Sequence, residues 1–228
     1  MRRAVLLFDI DGTLLTFRGP SPGPGRTAMA RASIELFGAD HTAGLRFAGG
    51  TDLSLARAIA TAARVSALEE ARRALLARYT VFLEEELSRR PYMPLGDVHG
   101  TVTWAKGAGH RVALATGNLR EGAAIKLRSA GLQALFPLEG GGYGGDHEAR
   151  ADFVRAAIDA AAGHGEPIVV GDTDADVAAA RATGARVIGV APSPAAREEL
   201  AGADALAEDC GASLRAAIEA LLLRSPAP

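Results

Sequence analysis

Only one cysteine, Cys210, stands among the 228 residues. It permits no internal disulfide and excludes cysteine-based zinc clusters, so the expected role is that of a small buried apolar side chain. No run approaches the ~20 apolar residues that a membrane helix needs, which argues against a spanning protein. Lysine is nearly missing as well. Of 25 basic residues only Lys106 and Lys126 are lysines, and the basic and acidic residues balance to a net charge of −2. That balance leaves no electrostatic footprint for nucleic acid. There is no GxxxxGK[ST] phosphate loop, and the five histidines show no HExxH spacing. Exposed histidines are therefore expected. The opening Met-Arg-Arg and the apolar Ala4–Phe8 have some look of a secretory leader, but Asp9 and Asp11 break the apolar stretch too early. A cytoplasmic protein is expected.

What is present is ample core material: 48% of the residues are apolar and 23% charged, a globular rather than a disordered composition. Arg3–Phe8 is an apolar run ending in Asp9-Ile10-Asp11-Gly12, which reads as a buried strand entering a turn. Residues 18–26 (RGPSPGPGR) hold three prolines and three glycines and read as a linker. Helical periodicity follows over Thr27–Phe37, Thr51–Arg64 and Leu68–Leu87, with no strand pattern between them. Pro91 and Pro94 close this block. From residue 94 onward strands alternate with helices. Strands are expected at 111–116, 135–138, 167–170, 186–190 and 205–206. Helices are expected at 98–108, 121–130, 150–162, 177–182, 196–202 and 213–223. Gly140–Gly145 reads as a flexible loop, and Ser225–Pro228 as an unstructured tail. Such alternation implies a parallel sheet covered on both faces. The fold class expected is α/β, a Rossmann-like parallel sheet core formed by residues 1–15 and 93–228. Residues 16–92 form an inserted all-α cap.

Three apolar runs end in polar residues. The first ends in Asp9-Ile10-Asp11-Gly12-Thr13, the second in Ala115-Thr116-Gly117-Asn118, and the third in Gly171-Asp172-Thr173-Asp174-Ala175-Asp176. Each alone is weak, since a capped turn or an acidic helix N-terminus explains it. Together they matter, because ligands of open α/β sheets bind at the carboxyl ends of the strands. Four or five carboxylates crowded there would repel one another without a cation. Oxygen donors with no His or Cys nearby suit Mg²⁺. A calcium loop starting at Asp172 fails, because Val177 stands where glycine is required and Thr183 where glutamate is. Gly140–Gly145 fits GxGxxG in form, but no long strand precedes it directly, so a dinucleotide site is rejected.

DxDGT, a strand ending in threonine, a later basic residue and GDTxxD, in that order, resemble the haloacid dehalogenase-like hydrolase superfamily. The TGN at 116–118 and the DHEAR at 146–150 resemble its phosphoglycolate-phosphatase-like members. The resemblance covers the whole chain and implies a Mg²⁺-dependent phosphatase of a small phosphorylated metabolite, 2-phosphoglycolate being one such substrate. It implies Asp9 as nucleophile and Asp11 as acid and base. It implies Thr116 as a hydrogen-bond donor to a phosphoryl oxygen, with Gly117 and Asn118 beside it. Asp9, Asp11 (through its backbone carbonyl), Asp172 and Asp176 would hold the metal. The family's usual lysine before the GDT strand is missing. Arg150 takes that place, with Lys126 as the alternative. In the inserted block, Gly50 and Thr51 are candidates for contact with the leaving group, although a helix cap also explains Thr51. A phosphosugar mutase is the alternative activity, and an inactive phospho-ligand binding module a further one. A monomer and a homodimer are both compatible with the sequence.

Overall fold

A computed structural model describes residues 2–224. The tail at 225–228 lies outside the described residues. The chain begins with β1 (Ala4–Phe8) and β2 (Leu15–Phe17). Three helices follow, α1 (Pro24–Phe37), α2 (Asp52–Ala62) and α3 (Leu68–Arg89), and then β3 (Tyr92–Pro94). The remainder alternates: α4 (Val98–Gly107), β4 (Arg111–Thr116), α5 (Arg120–Ser129), β5 (Gly142–Tyr143), α6 (Arg150–Ala160), β6 (Glu166–Gly171), α7 (Asp174–Thr183), β7 (Arg186–Val190), α8 (Pro194–Glu199), β8 (Ala205–Ala207) and α9 (Ala212–Leu223).

Six strands form one parallel sheet in the order β5-β4-β1-β6-β7-β8. Its strands are buried on both faces, which is why they read as unbroken apolar runs. Along β1, Ala4, Leu6 and Phe8 point into one apolar cluster, while Val5 and Leu7 point into the other. The same alternation splits Val112 and Leu114 from Ala113 and Ala115 on β4, and Ile168 and Val170 from Val169 on β6. The first cluster continues into the helical block through Met29, Ile59, Leu75, Tyr79 and Leu83. From the central strand β1 the chain pairs with β4 on one side and β6 on the other. The strand order thus reverses at β1, where sheets of this kind open a crevice.

Several elements differ from the sequence reading. No strand forms at 135–138. Leu135 and Phe136 are buried in a turn instead. The strand lies at Gly142–Tyr143, inside the stretch read as a flexible loop, and pairs with Ala115 and Thr116. A Cβ on Gly142 would lie 1.8 Å from the Phe153 carbonyl oxygen, so glycine is there for close packing of strand on helix. The helical block is bounded by a two-stranded antiparallel ribbon, β2 with β3, that hydropathy did not show. Three residues per strand are too short for a periodic signal. Helix α1 begins at Pro24, inside the expected linker, because proline suits the first turn of a helix. Helix α7 begins at Asp174 rather than 177, since Asp176 caps it from its third position. His110 is buried rather than exposed. Its Nδ1 accepts the Ala4 backbone N–H at 3.1 Å. Cys210 is buried and its thiol donates to the Thr13 carbonyl oxygen at 3.2 Å.

Candidate active site

The carboxyl ends of β1, β4 and β6 meet at one place. After Phe8 the chain leaves the sheet through Asp9, whose N–H donates to the Val170 carbonyl oxygen at 2.9 Å. Gly12, at φ +79°, lets it turn back, and its N–H donates to the Leu15 carbonyl oxygen at 2.9 Å. A Cβ on Gly12 would lie 2.0 Å from Asp172 Oδ2, so a side chain is excluded on two grounds. Thr13 Oγ1 donates to Asp172 Oδ1 at 3.2 Å and fixes that carboxylate from the other side. Asp176 Oδ2 accepts from both the N–H and the hydroxyl of Thr173, at 3.0 and 2.7 Å. Its other oxygen accepts from Arg150 Nη1 at 2.6 Å.

Asp9, Asp172 and Asp176 each place a carboxylate oxygen within 4.8 Å of the others. Burial pushes the Asp9 carboxyl up from its ordinary range. Arg150 opposes that shift, and the Asp176 and Asp11 charges add to it. Burial and the charges of Asp9 and Asp176 push Asp172 up as well. Like charges crowded at one place are what a bound cation would relieve. The donor set is all oxygen and fits a hard divalent cation.

Arg150 opens α6 and reaches into this cluster, 3.6 Å from Asp9 Oδ2. Its Nε is buried without a partner. Burial works against its charge, but Asp9, Asp176 and Asp172 hold it protonated. Lys126, the alternative basic residue, is buried. Its Nζ donates to Asp11 Oδ2 at 2.6 Å and to Asn118 Oδ1 at 2.5 Å. Burial alone would favour the neutral amine, yet the Asp11 charge raises its pKa well above the ordinary lysine value. Asp11 in turn lies below the usual carboxylate range, because Lys126 outweighs the effect of its burial. The two basic residues therefore serve different carboxylates, Arg150 those of Asp9 and Asp176, Lys126 that of Asp11.

Asn118 Nδ2 donates to Thr116 Oγ1 and to Asp11 Oδ2, both at 2.8 Å, tying the end of β4 to the end of β1. Gly117 is where the helical block touches the sheet edge. A Cβ there would lie 2.4 Å from the Gly50 carbonyl oxygen. Next to it the Asp52 N–H donates to the Gly117 carbonyl oxygen, and Asp52 Oδ2 accepts the Leu119 N–H, each at 2.8 Å.

A cavity of about 390 Å³ runs from this cluster toward the helices. Asp9, Asp11, Gly50, Gly117, Asn118, Lys126, Arg150 and Asp172 line it. Thr116 is fully buried behind Asn118, and Asp176 behind Arg150. Thr51, expected to contact a ligand, does not line the cavity. Its hydroxyl accepts the Ser54 N–H and donates to the Glu148 carbonyl oxygen, so it caps α2 and ties it to the loop before α6. Sequence reasoning passed over Thr13, Thr173, Asp52, Tyr79 and Tyr92. Only Thr13 and Thr173 carried a signal, lying inside the two aspartate motifs.

The model of the haloacid dehalogenase-like hydrolases matches residues 6–181, from β1 through α7. The chain belongs to the haloacid dehalogenase-like hydrolase family. A second model, of HAD-hydrolase-like chains, matches residues 148–217 of this family member. No curated protein matches it. Among solved structures it is similar to CbbY from Rhodobacter sphaeroides in complex with phosphate, with a TM-score of 0.62 and 21% identity over 93% of this chain and 98% of that one. It is also similar to the HAD hydrolase, family IA, variant 3 from Entamoeba histolytica, with a TM-score of 0.67 and 16% identity over 91% and 93%. A hydrolase from Pseudomonas syringae gives a TM-score of 0.64 and 18% identity over 95% and 98%. At these identities the likeness is one of fold.

Proposed function

We propose that this family member is a Mg²⁺-dependent phosphatase of small phosphate monoesters, working through an aspartyl-phosphate on Asp9. The observation that carries the reading is the meeting of two buried cations and four carboxylates at a crevice on the carboxyl edge of the sheet. Arg150 stands 3.6 Å from Asp9, with a buried Nε still free to donate. An anion drawn to the crevice would satisfy that donor. The complexes of CbbY with phosphate and with xylulose-(1,5)bisphosphate support a phosphorylated ligand for this fold.

In this reading an Asp9 carboxylate oxygen attacks phosphorus, and the bond from phosphorus to the leaving alcohol breaks. Asp11 gives a proton to the leaving oxygen, then takes one from the water that attacks the aspartyl-phosphate. Lys126 and Asn118 favour the ionised form of Asp11, the form left once it has given its proton and the one the second, proton-accepting step requires. Arg150 steadies the charge on the phosphoryl oxygens, and Asn118 holds the Thr116 hydroxyl beside them. Asp9, Asp172 and Asp176, with the Asp11 backbone carbonyl, would hold Mg²⁺. Bound there, it supplies the positive charge that lets the Asp9 carboxylate approach an anionic phosphate. Residues 16–92 act as a cap over the core formed by residues 1–15 and 93–228, and exclude bulk water while Asp9 is phosphorylated.

The test is hydrolysis of p-nitrophenyl phosphate by wild type and Asp9→Asn, each stripped with EDTA and resupplied with Mg²⁺. Wild type should turn over only with Mg²⁺, and Asp9→Asn should lose more than about 10³-fold in kcat with its circular dichroism unchanged. Equal turnover of the two proteins, or full activity in metal-free buffer, contradicts the reading.

A further inference from the structure

Beside Asp11, on the side of the cavity that the helices form, three polar atoms converge on one point above Gly25, in the first turn of α1. A Cβ built on Gly25 would lie 3.7 Å from the Tyr92 hydroxyl and 3.8 Å from both Lys126 Nζ and the Tyr79 hydroxyl. The three side chains come from β3, α5 and α3, so the fold brings them together from separate elements. Lys126 spends two of its three N–H groups on Asp11 and Asn118, which leaves one. Tyr79 is 2% exposed and lines the cavity, and its hydroxyl makes no hydrogen bond among the described residues. Open to the cavity, that hydroxyl is free to bond a ligand. Resting on the phosphatase reading, we infer that this point is a specificity subsite for a neutral hydroxyl of the substrate's alcohol portion.

The charge around the point selects a neutral group. The Lys126 charge is already matched by Asp11 at 2.6 Å, and Asp52 lines the same cavity. A carboxylate placed there would meet two aspartates and only one cation. A hydroxyl both donates and accepts, so it satisfies Tyr79 together with the remaining Lys126 N–H. Phe17, Met29, Phe47 and Leu55 add apolar wall to the same cavity. The other cation here, Arg26, lies over the Phe47 ring at 4.8 Å and donates to the Thr42 and Leu45 carbonyl oxygens. The substrate class is therefore a monophosphate of a polyol or sugar-sized alcohol, with a free hydroxyl near the leaving oxygen that Asp11 serves.

The experiment measures kcat/KM with Mg²⁺ for matched pairs: ribose 5-phosphate and 2-deoxyribose 5-phosphate, and glycerol 1-phosphate and propyl phosphate. 2-Phosphoglycolate serves as the carboxylate arm. Wild type should prefer the hydroxylated member of at least one pair by about ten-fold or more, and prefer it over 2-phosphoglycolate. Tyr79→Phe should cut that preference about ten-fold, chiefly through KM. Gly25→Ala places a methyl at the convergence point in ordinary contact distance of its neighbours. It should fold as wild type does and erase the preference. A preference unchanged in both variants, no preference in either pair, or 2-phosphoglycolate as the better substrate overturns the subsite. If wild type hydrolyses none of the five esters or p-nitrophenyl phosphate, the phosphatase reading itself falls, and the subsite with it.

Discussion

Asp9, Asp11, Asp172 and Asp176 were legible as residues because each ends or follows an apolar run where a parallel sheet presents its carboxyl edge. Their partners were less so. Lys126 is one of two lysines in the chain, but a helix lysine looks the same in sequence whether it is solvated or buried. Tyr79 and Asp52 sit on helices where periodicity assigns an apolar face and a cap, and a hydroxyl pointing into a cavity leaves no mark on that pattern. Gly12 is the residue whose role is most narrowly set. Its φ of +79° and the 2.0 Å from a built Cβ to Asp172 Oδ2 leave no room for alanine. Gly12→Ala should displace Asp172 and lower kcat by about 10²-fold or more, the scale expected when catalytic groups are misplaced by an ångström. Steady-state kinetics beside a thermal melt separates that loss from unfolding. An unchanged kcat would mean that Asp172 has no part in the chemistry.

At the scale of elements, long periodic segments were readable and short ones were not. The alternation of strand and helix after residue 94 follows from apolar runs of five or six residues. Strand β5 has two residues, one of them glycine, and tertiary packing alone makes it a strand. Gly142→Ala should therefore destabilise the protein by about 1–3 kcal/mol, since the new methyl meets the Phe153 carbonyl. Urea unfolding with a fixed m-value reads this, and a shift below the error of the fit would contradict it. The start of β1 rests on His110, whose imidazole is buried and held neutral. Burial lowers its pKa from 6.5, so the unfolded chain binds this proton more readily than the folded one. The stability from the neutral ring is fully present above about pH 6.5 and is lost as the pH falls toward the lowered folded value. The thermal midpoint of wild type should fall more steeply from pH 7 to 5 than that of His110→Gln. Parallel slopes would contradict this role.

At the scale of the molecule, a net charge of −2 conceals a concentrated arrangement. Four aspartates and two buried cations meet where the strand order reverses, and residues of α1 and α3 line the same cavity. The order of the motifs along the chain was enough to place the sheet edge and the family. The shape of the cavity was not, because it depends on side chains from α1, α3 and β3 that meet only in the folded chain. The central claim is that Asp9 becomes phosphorylated during turnover. Quenching the working enzyme with borohydride tests it most directly, since an acyl phosphate is reduced to the alcohol while a free carboxylate is not. Mass spectrometry of the peptide containing Asp9 should show homoserine at position 9 only when substrate and Mg²⁺ are both present. An unmodified Asp9 in enzyme that is visibly turning over substrate would contradict the account.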